Sequence, residues 1–170
     1  MTSREFRRIP APQREIVERH LSEYPVKLGS LAKALNVAIK VSSMGTGVSG
    51  QISREGDGYI IRVNRNEARE RQRYTIAHEL SHFLLHRDVI DNSPNGITDN
   101  VLYRSGAPEN IEYQANRLAA DLVMPMPLVE RKLREDFGGV VTDATIESLA
   151  ASFDVSKAAM EIRLSTFAEV

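Results

Sequence analysis

The 170-residue sequence contains no cysteine. This absence excludes disulfide bonds, thiolate metal sites and cysteine nucleophiles, so any zinc ion must be held by histidine and carboxylate side chains. The sequence also lacks a long apolar run. Residues 1–10 are basic without the apolar core of a signal peptide, and no stretch has the length of a transmembrane helix. We therefore expect a cytoplasmic protein with no membrane partner.

An excess of one charge is absent as well. The formal net charge is −1 at pH 7, which gives nucleic acid no broad electrostatic surface to bind. Direct nucleic-acid binding is therefore not expected. A chain of 19.0 kDa is long enough for one folded unit, and folding at this size buries roughly two-thirds of the unfolded surface.

Histidine is scarce, but three of the four histidines lie on one helical stripe: His78, His82 and His86. Residues 78–82 read H-E-x-x-H. On a helix, side chains four residues apart share a face, so two imidazoles can bind one metal ion. Glu79 then lies about 100° round the helix, where its carboxylate can take a proton from a metal-bound water. The motif also occurs by chance on ordinary helices, but the clustering of a scarce residue favours a metal site.

The pattern predicts a catalytic zinc site with one ion per chain. Catalytic zinc takes three protein ligands and leaves its fourth position to water, whose pKa falls to about 7. His86 lies about 12 Å along the helix from His78, too far to share that ion. We expect His86 to be either a hydrogen-bonding neighbour of a ligand or a histidine at the end of the helix.

A second helical pattern, residues 111–125, offers a candidate third ligand. Its apolar residues recur at spacings of three and four. Glu112 precedes Asn116 by one turn, so both can face the same neighbour. The Glu112 carboxylate would complete a His₂Glu set, and Asn116 could hydrogen-bond a ligand imidazole. The alternative is that Glu112 lies on a solvated face.

The rest of the chain predicts an α+β fold that is mainly helical. Helices are expected over residues 13–24 and 27–35, and strands over 37–42, 51–53 and 59–63, the last two joined by a Gly-containing hairpin. These strands predict a small three-stranded antiparallel sheet. Asn64 and Glu67 have the spacing of a capping box that would start the helical region carrying His78.

A long polar connection, residues 88–108, separates the two motif helices. Connections of this length often serve as lids or binding loops. Tyr103 and Arg104 are its candidate hydrogen-bond donors to the oxyanion of a cleaved peptide bond. The alternative is that both only pack on the surface.

The C-terminal segment has the rhythm of a helix-turn-helix over residues 145–164, with Ser156 capping the second helix. A DNA-reading helix needs basic side chains, and the second helix offers only Lys157 and Arg163. From residue 128 onward, acidic residues outnumber basic ones. A structural or protein-docking role is favoured. We divide the chain into residues 1–126, the metal-binding unit, and residues 127–170, a C-terminal helical segment packed as part of the same unit.

Residues 73–82 and, further along, Glu112, Ala115-Asn116 and residues 118–125 resemble the ImmA/IrrE family of metallopeptidases. The similarity extends upstream through Pro25-Val26 and the hairpin. Gln114 stands where many relatives have a second acid, and Ser81 replaces a frequent glycine.

The resemblance implies a zincin-like zinc peptidase with His78, His82 and Glu112 as ligands and Glu79 as general base. It also implies a protein substrate, typically a helix-turn-helix transcriptional repressor encoded nearby, whose cleavage relieves repression. Two other functions stay open: a DNA-binding regulator using the C-terminal helices, and a non-catalytic module such as a toxin or antitoxin partner.

Overall fold

The computed structural model describes residues 3–100 and 109–165 of the protein. Within these ranges the fold is α+β and mostly helical. The helices are α1 (Arg4–Arg7), α2 (Ala11–His20), α3 (Leu28–Ala34), α4 (Arg69–Leu85), α5 (Arg87–Asp91), α6 (Glu109–Val123), α7 (Met126–Phe137), α8 (Asp143–Phe153) and α9 (Lys157–Ser165); the strands are β1 (Val37–Ser42), β2 (Val48–Glu55), β3 (Gly58–Asn64) and β4 (Ile97–Asn100).

The sheet has four strands in the order β1-β3-β2-β4 and is mixed. The predicted hairpin is formed by β2 and β3, which pair antiparallel through Glu55 and Gly58. The predicted three-stranded antiparallel sheet is wrong in two respects, because β1 runs parallel to β3 and β4 adds a fourth strand. Alternating hydrophobicity shows that a segment is a strand, but it does not show the direction of its neighbour.

Strand β4 lies in the connection that the sequence analysis treated as an irregular loop. It has four residues, of which Ile97 is buried, so the strand carries too little apolar periodicity to be predicted. Gly96 leads into it with a φ of 67°. A Cβ at this position would lie 1.9 Å from the Ile52 carbonyl oxygen, so glycine is what lets β4 approach β2.

Helix α4 begins later than the predicted capping box. Asn64 is the last residue of β3, and its side chain donates to the Val48 carbonyl and accepts from the Asn66 N–H. The amide therefore closes a turn after the strand. The residue before the helix is Ala68, which makes no side-chain cap.

The core is one cluster of buried apolar side chains that joins both ends of the described chain to its middle, as Phe6, Leu80 and Phe153 show. In the C-terminal segment, Ser156 Oγ accepts from the Ala159 N–H and so caps α9. Among the helices of the described ranges, none is both long enough and apolar enough to cross a bilayer.

Candidate metal centre

Helix α4 packs along α6, and the facing sides of these two helices carry the predicted ligands. His78 Nε2 lies 3.1 Å from Glu112 Oε2, and His82 Nε2 lies 2.9 Å from Glu112 Oε1. Both histidines are buried. The structure therefore brings His78, His82 and Glu112 together as one group with a ligand atom from each residue.

The contact between His82 and Glu112 is short, but it does not have the geometry of a hydrogen bond. His82 Nε2 and Glu112 Oε1 are both buried and have no hydrogen-bond partner within the described ranges. Two tetrahedral ligands with bonds of about 2.0–2.1 Å to zinc are about 3.3 Å apart. The contact between His82 and Glu112, close but without a hydrogen bond, is what two ligands of a shared cation would show. His78 Nε2 is hydrogen-bonded to Glu112 Oε2, and the donor set of two imidazoles and one carboxylate fits a metal ion.

Glu79 is fully buried beside this group. Neither of its carboxylate oxygens has a hydrogen-bond partner among the described residues. A buried polar group without a partner is rare and costs about 1–3 kcal/mol. Glu79 and His78 also form a second close group with Asp99 of β4. Asp99 was not predicted as a site residue, because β4, the strand that places it there, was not predicted either.

Gly50 in β2 explains how Glu79 comes to lie against the sheet. A Cβ on Gly50 would be 2.5 Å from Thr75 Cγ2, 2.9 Å from the Arg62 carbonyl oxygen and 3.9 Å from Glu79 Cγ. Only a residue without a side chain lets α4 approach β2 this closely. A glycine inside a strand pattern is a known sign of such an approach, so the sequence did contain this signal.

The Nδ1 atoms of the two candidate histidine ligands contact polar neighbours. His78 Nδ1 lies 2.9 Å from Asn116 Oδ1, and His82 Nδ1 lies 3.0 Å from His86 Nδ1. His86 follows the last residue of α4, and its Nε2 lies 2.8 Å from Gln114 Oε1. Asn116 thus contacts one candidate ligand imidazole and His86 contacts the other. The contact of Gln114 with His86 was not predicted from the sequence.

The electrostatics of His78 and Glu112 are those of an ion pair. Burial alone lowers the pKa of His78, but the hydrogen bond to Glu112 and the nearby carboxylates outweigh it and raise the pKa to about 9. Burial would raise the pKa of Glu112, but its contacts with both histidines hold it well below the usual range. A metal ion would replace the proton of His78 as the partner of Glu112.

The remaining groups favour their neutral forms. Burial raises the pKa of Glu79 well above its ordinary value, and the charges of Asp99 and Glu112 add to the effect. Burial also lowers the pKa of His82 and of His86. Glu79 is therefore a carboxyl group able to hold a proton in a range where ordinary glutamates cannot.

Tyr103 and Arg104, the candidate oxyanion donors, lie outside the described residues. An apolar groove of about 760 Å³ runs beside the centre, between α4, α6 and α9. Asn116 lines the groove and also contacts His78, so this residue connects the groove wall to a candidate ligand. Tyr74, Tyr113 and Ile162 form part of its walls.

Comparison with known proteins identifies a family and a shared fold. The model of the M78 peptidases, described as the IrrE N-terminal-like domain, matches residues 32–165. The solved structure of a Mycobacterium tuberculosis transcriptional regulator is similar with a TM-score of 0.58 and 15% sequence identity, which shows a shared fold alone. The similarity covers 91% of this chain and 45% of that chain, so the protein spans less than half of that relative. No curated protein matches the sequence.

Proposed function

The chain belongs to the IrrE N-terminal-like family of M78 peptidases, and from this premise we propose that it is a zinc-dependent endopeptidase. His78, His82 and Glu112 are the proposed zinc ligands, and Glu79 is the proposed general base. The observation that carries the proposal is the fully buried Glu79 carboxylate, without a hydrogen-bond partner in the described chain and next to three converging ligand atoms.

Zinc is proposed because the donor set is two imidazoles and one carboxylate in a chain without thiols. When bound, zinc supplies a Lewis acid that polarises a carbonyl group and lowers the pKa of water to about 7. Glu79 would accept a proton from the attacking water and deliver it to the leaving amine. Without a metal ion, burial raises the pKa of Glu79 and favours its neutral form. The charge of a bound zinc ion would favour the ionised carboxylate, which is the form that can accept the proton.

The proposed substrate is a protein, namely a helix-turn-helix repressor encoded nearby, whose cleavage would relieve repression. Support comes from the family of the chain and from the apolar groove beside the centre, which could receive a peptide segment next to the metal. We propose that the protein acts in the cytoplasm, where such a repressor would be found.

A DNA-binding function of the C-terminal helices is less well supported. The Arg163 guanidinium lies 2.8 Å from Asp121 Oδ1 and donates to the Met124 carbonyl. Lys157 lies 3.3 Å from a Glu147 oxygen. The two basic side chains that a recognition helix would use are thus paired with acidic side chains of the protein. DNA phosphates would have to compete with these acidic groups.

The test compares the parent protein with Glu79→Gln, each produced with the neighbouring repressor. We expect about one zinc per chain in both proteins and a loss of order 10²–10⁴ in cleavage rate for Glu79→Gln. Glu135→Gln is the control, because Glu135 is exposed on α7. Elemental analysis measures zinc, and mass spectrometry of the repressor fragments measures cleavage.

Undiminished cleavage by Glu79→Gln would contradict the proposed mechanism. Absence of cleavage by a zinc-loaded parent would instead favour the non-catalytic module. Absence of zinc from the parent would contradict the ligand assignment itself.

A further inference from the structure

The two candidate histidine ligands are supported in different ways. Asn116 offers His78 Nδ1 an amide oxygen, which can only accept a hydrogen bond. His82 Nδ1 instead faces His86 Nδ1 at 3.0 Å. A neutral imidazole can donate or accept at either nitrogen, depending on its tautomer. The contact with His86 alone therefore does not determine which nitrogen of His82 carries the proton.

Gln114 removes this ambiguity. Its Oε1 lies 2.8 Å from His86 Nε2, and an amide oxygen accepts, so His86 must carry its proton on Nε2. A neutral His86 then has a lone pair on Nδ1. The 3.0 Å contact is a hydrogen bond only if His82 Nδ1 donates to that lone pair.

The proton on His82 Nδ1 leaves His82 Nε2 with a free lone pair. This is the atom that lies 2.9 Å from Glu112 Oε1 without hydrogen-bond geometry. Metal ions bind the deprotonated nitrogen of a neutral imidazole. Reversing the protons along the same two contacts would place a hydrogen on His82 Nε2 and block metal binding.

We propose that Gln114 is a positioning residue that sets the tautomer of His82 through His86. The inference rests on the proposed metal site, but it concerns a residue that is not one of the proposed ligands and that hydrogen-bonds His86. Burial supports it, because His82 is fully buried, His86 is 4% exposed, and the contact between their Nδ1 atoms is itself buried.

The test compares three substitutions of Gln114 that differ in hydrogen-bonding character. Gln114→Glu keeps an acceptor, Gln114→Met removes it, and Gln114→Lys offers only donors. In alkaline buffer we expect Gln114→Glu to keep zinc affinity within a few-fold of the parent. Loss of such an outer partner typically costs about 10–100-fold in affinity, which we expect for Gln114→Met, with a larger loss for Gln114→Lys. Competition with a chromogenic chelator measures the affinities.

Asn110→Lys is the matched control, because Asn110 is exposed on the same helix and receives the same charge. Nitrogen NMR of the histidine rings gives a readout that does not depend on zinc. Metal-free parent protein should show His82 protonated at Nδ1 and His86 at Nε2, and Gln114→Lys should reverse both.

Unchanged zinc affinity in Gln114→Lys, or an Nε2-protonated His82 in the metal-free parent, would overturn the inference. An affinity loss in Asn110→Lys equal to that in Gln114→Lys would overturn it too, because charge alone would then explain the result. Failure of the parent to bind zinc would contradict the proposed metal site, and the ring tautomers would still decide the role of Gln114.

Discussion

Two clusters of buried polar side chains in the described part of the chain differ in whether their hydrogen bonds are satisfied. Between α6 and α9, Arg163 and Asp121 form a close ion pair with side chains 13% and 8% exposed. Between α4 and α6, Glu79 has no partner among the described residues, and His82 Nε2 faces Glu112 Oε1 without bonding it.

This difference distinguishes a cluster that stabilises the fold from a cluster that could bind a ligand. A buried polar group with good partners holds elements together, whereas an unsatisfied one costs folding free energy and persists only if something else favours it. The Arg163 cluster fixes α9 against α6. The Glu79 cluster has the unsatisfied groups expected of a site that binds a ligand.

The largest change in stability is expected when the cluster with satisfied hydrogen bonds is disrupted. Arg163→Met should lower the free energy of unfolding by about 3–5 kcal/mol, because it leaves the Asp121 carboxylate buried without its cation. Urea denaturation measures the change. Adding Asp121→Leu should recover part of the loss, since an apolar pair of similar volume has no unpaired charge. A change below about 1 kcal/mol for Arg163→Met would contradict this account.

The same kind of substitution in the other cluster should have the opposite sign. Glu79→Met removes two buried oxygens that lack partners in the described chain. We expect metal-free Glu79→Met to be about 1–3 kcal/mol more stable than the parent at neutral pH.

The pH dependence of this gain follows from the raised pKa of Glu79. Unfolded glutamate ionises above about pH 4.3, and the native state resists that ionisation, so the parent loses stability as pH rises above this value. The advantage of Glu79→Met should therefore shrink towards pH 4. Denaturation curves across this range measure it, and a destabilised variant at pH 7 would refute the interpretation of Glu79.

A third prediction uses the pH dependence of metal binding. His78 has a pKa of about 9, so below that pH a metal ion must displace its proton. Zinc affinity should rise about tenfold per pH unit up to about pH 9 and then level off. Titration against a chelator of known affinity, in buffers of increasing pH, measures the slope. A flat profile from neutral pH upward would mean that His78 is already deprotonated.

The smallest effect is expected on the exposed surface. Lys157 lies near Glu147 and Asp143, all three with exposed side chains, and exposed ion pairs contribute little to stability. Lys157→Gln should leave the thermal midpoint unchanged within the error of the measurement. Thermal denaturation at two salt concentrations checks this. A large change would show that the C-terminal helices depend on this lysine as α9 depends on Arg163.

The sequence predicted the parts of the candidate site that depend on local spacing. Helical periodicity placed His78 and His82 on one face and Glu112 with Asn116 on another helix, and the structure brings them together. The parts that depend on long-range pairing were missed. The parallel pairing of β1 with β3, and β4 with its Asp99, are set by contacts between distant segments.

The start of α4 shows a second reason why the sequence did not predict the whole structure. The spacing of Asn64 and Glu67 fits a capping box, but Asn64 is used by the sheet and bonds Val48 instead. Gln114 shows that a tertiary contact can also be missed, because its proposed role depends on His86, which lies just after α4 and far away in sequence. A residue whose only role is to orient a neighbour has no motif of its own.

The position of the three candidate ligands on only two helices has a mechanical consequence. An ion bound by His78 and His82 of α4 and Glu112 of α6 would be a cross-link between segments far apart in sequence. Covalent cross-links that close loops of this kind restrict the unfolded chain and contribute about 2–4 kcal/mol. In a chain without cysteine, the metal would then do for α4 and α6 what a disulfide does in an extracellular protein, with the difference that a chelator could undo it.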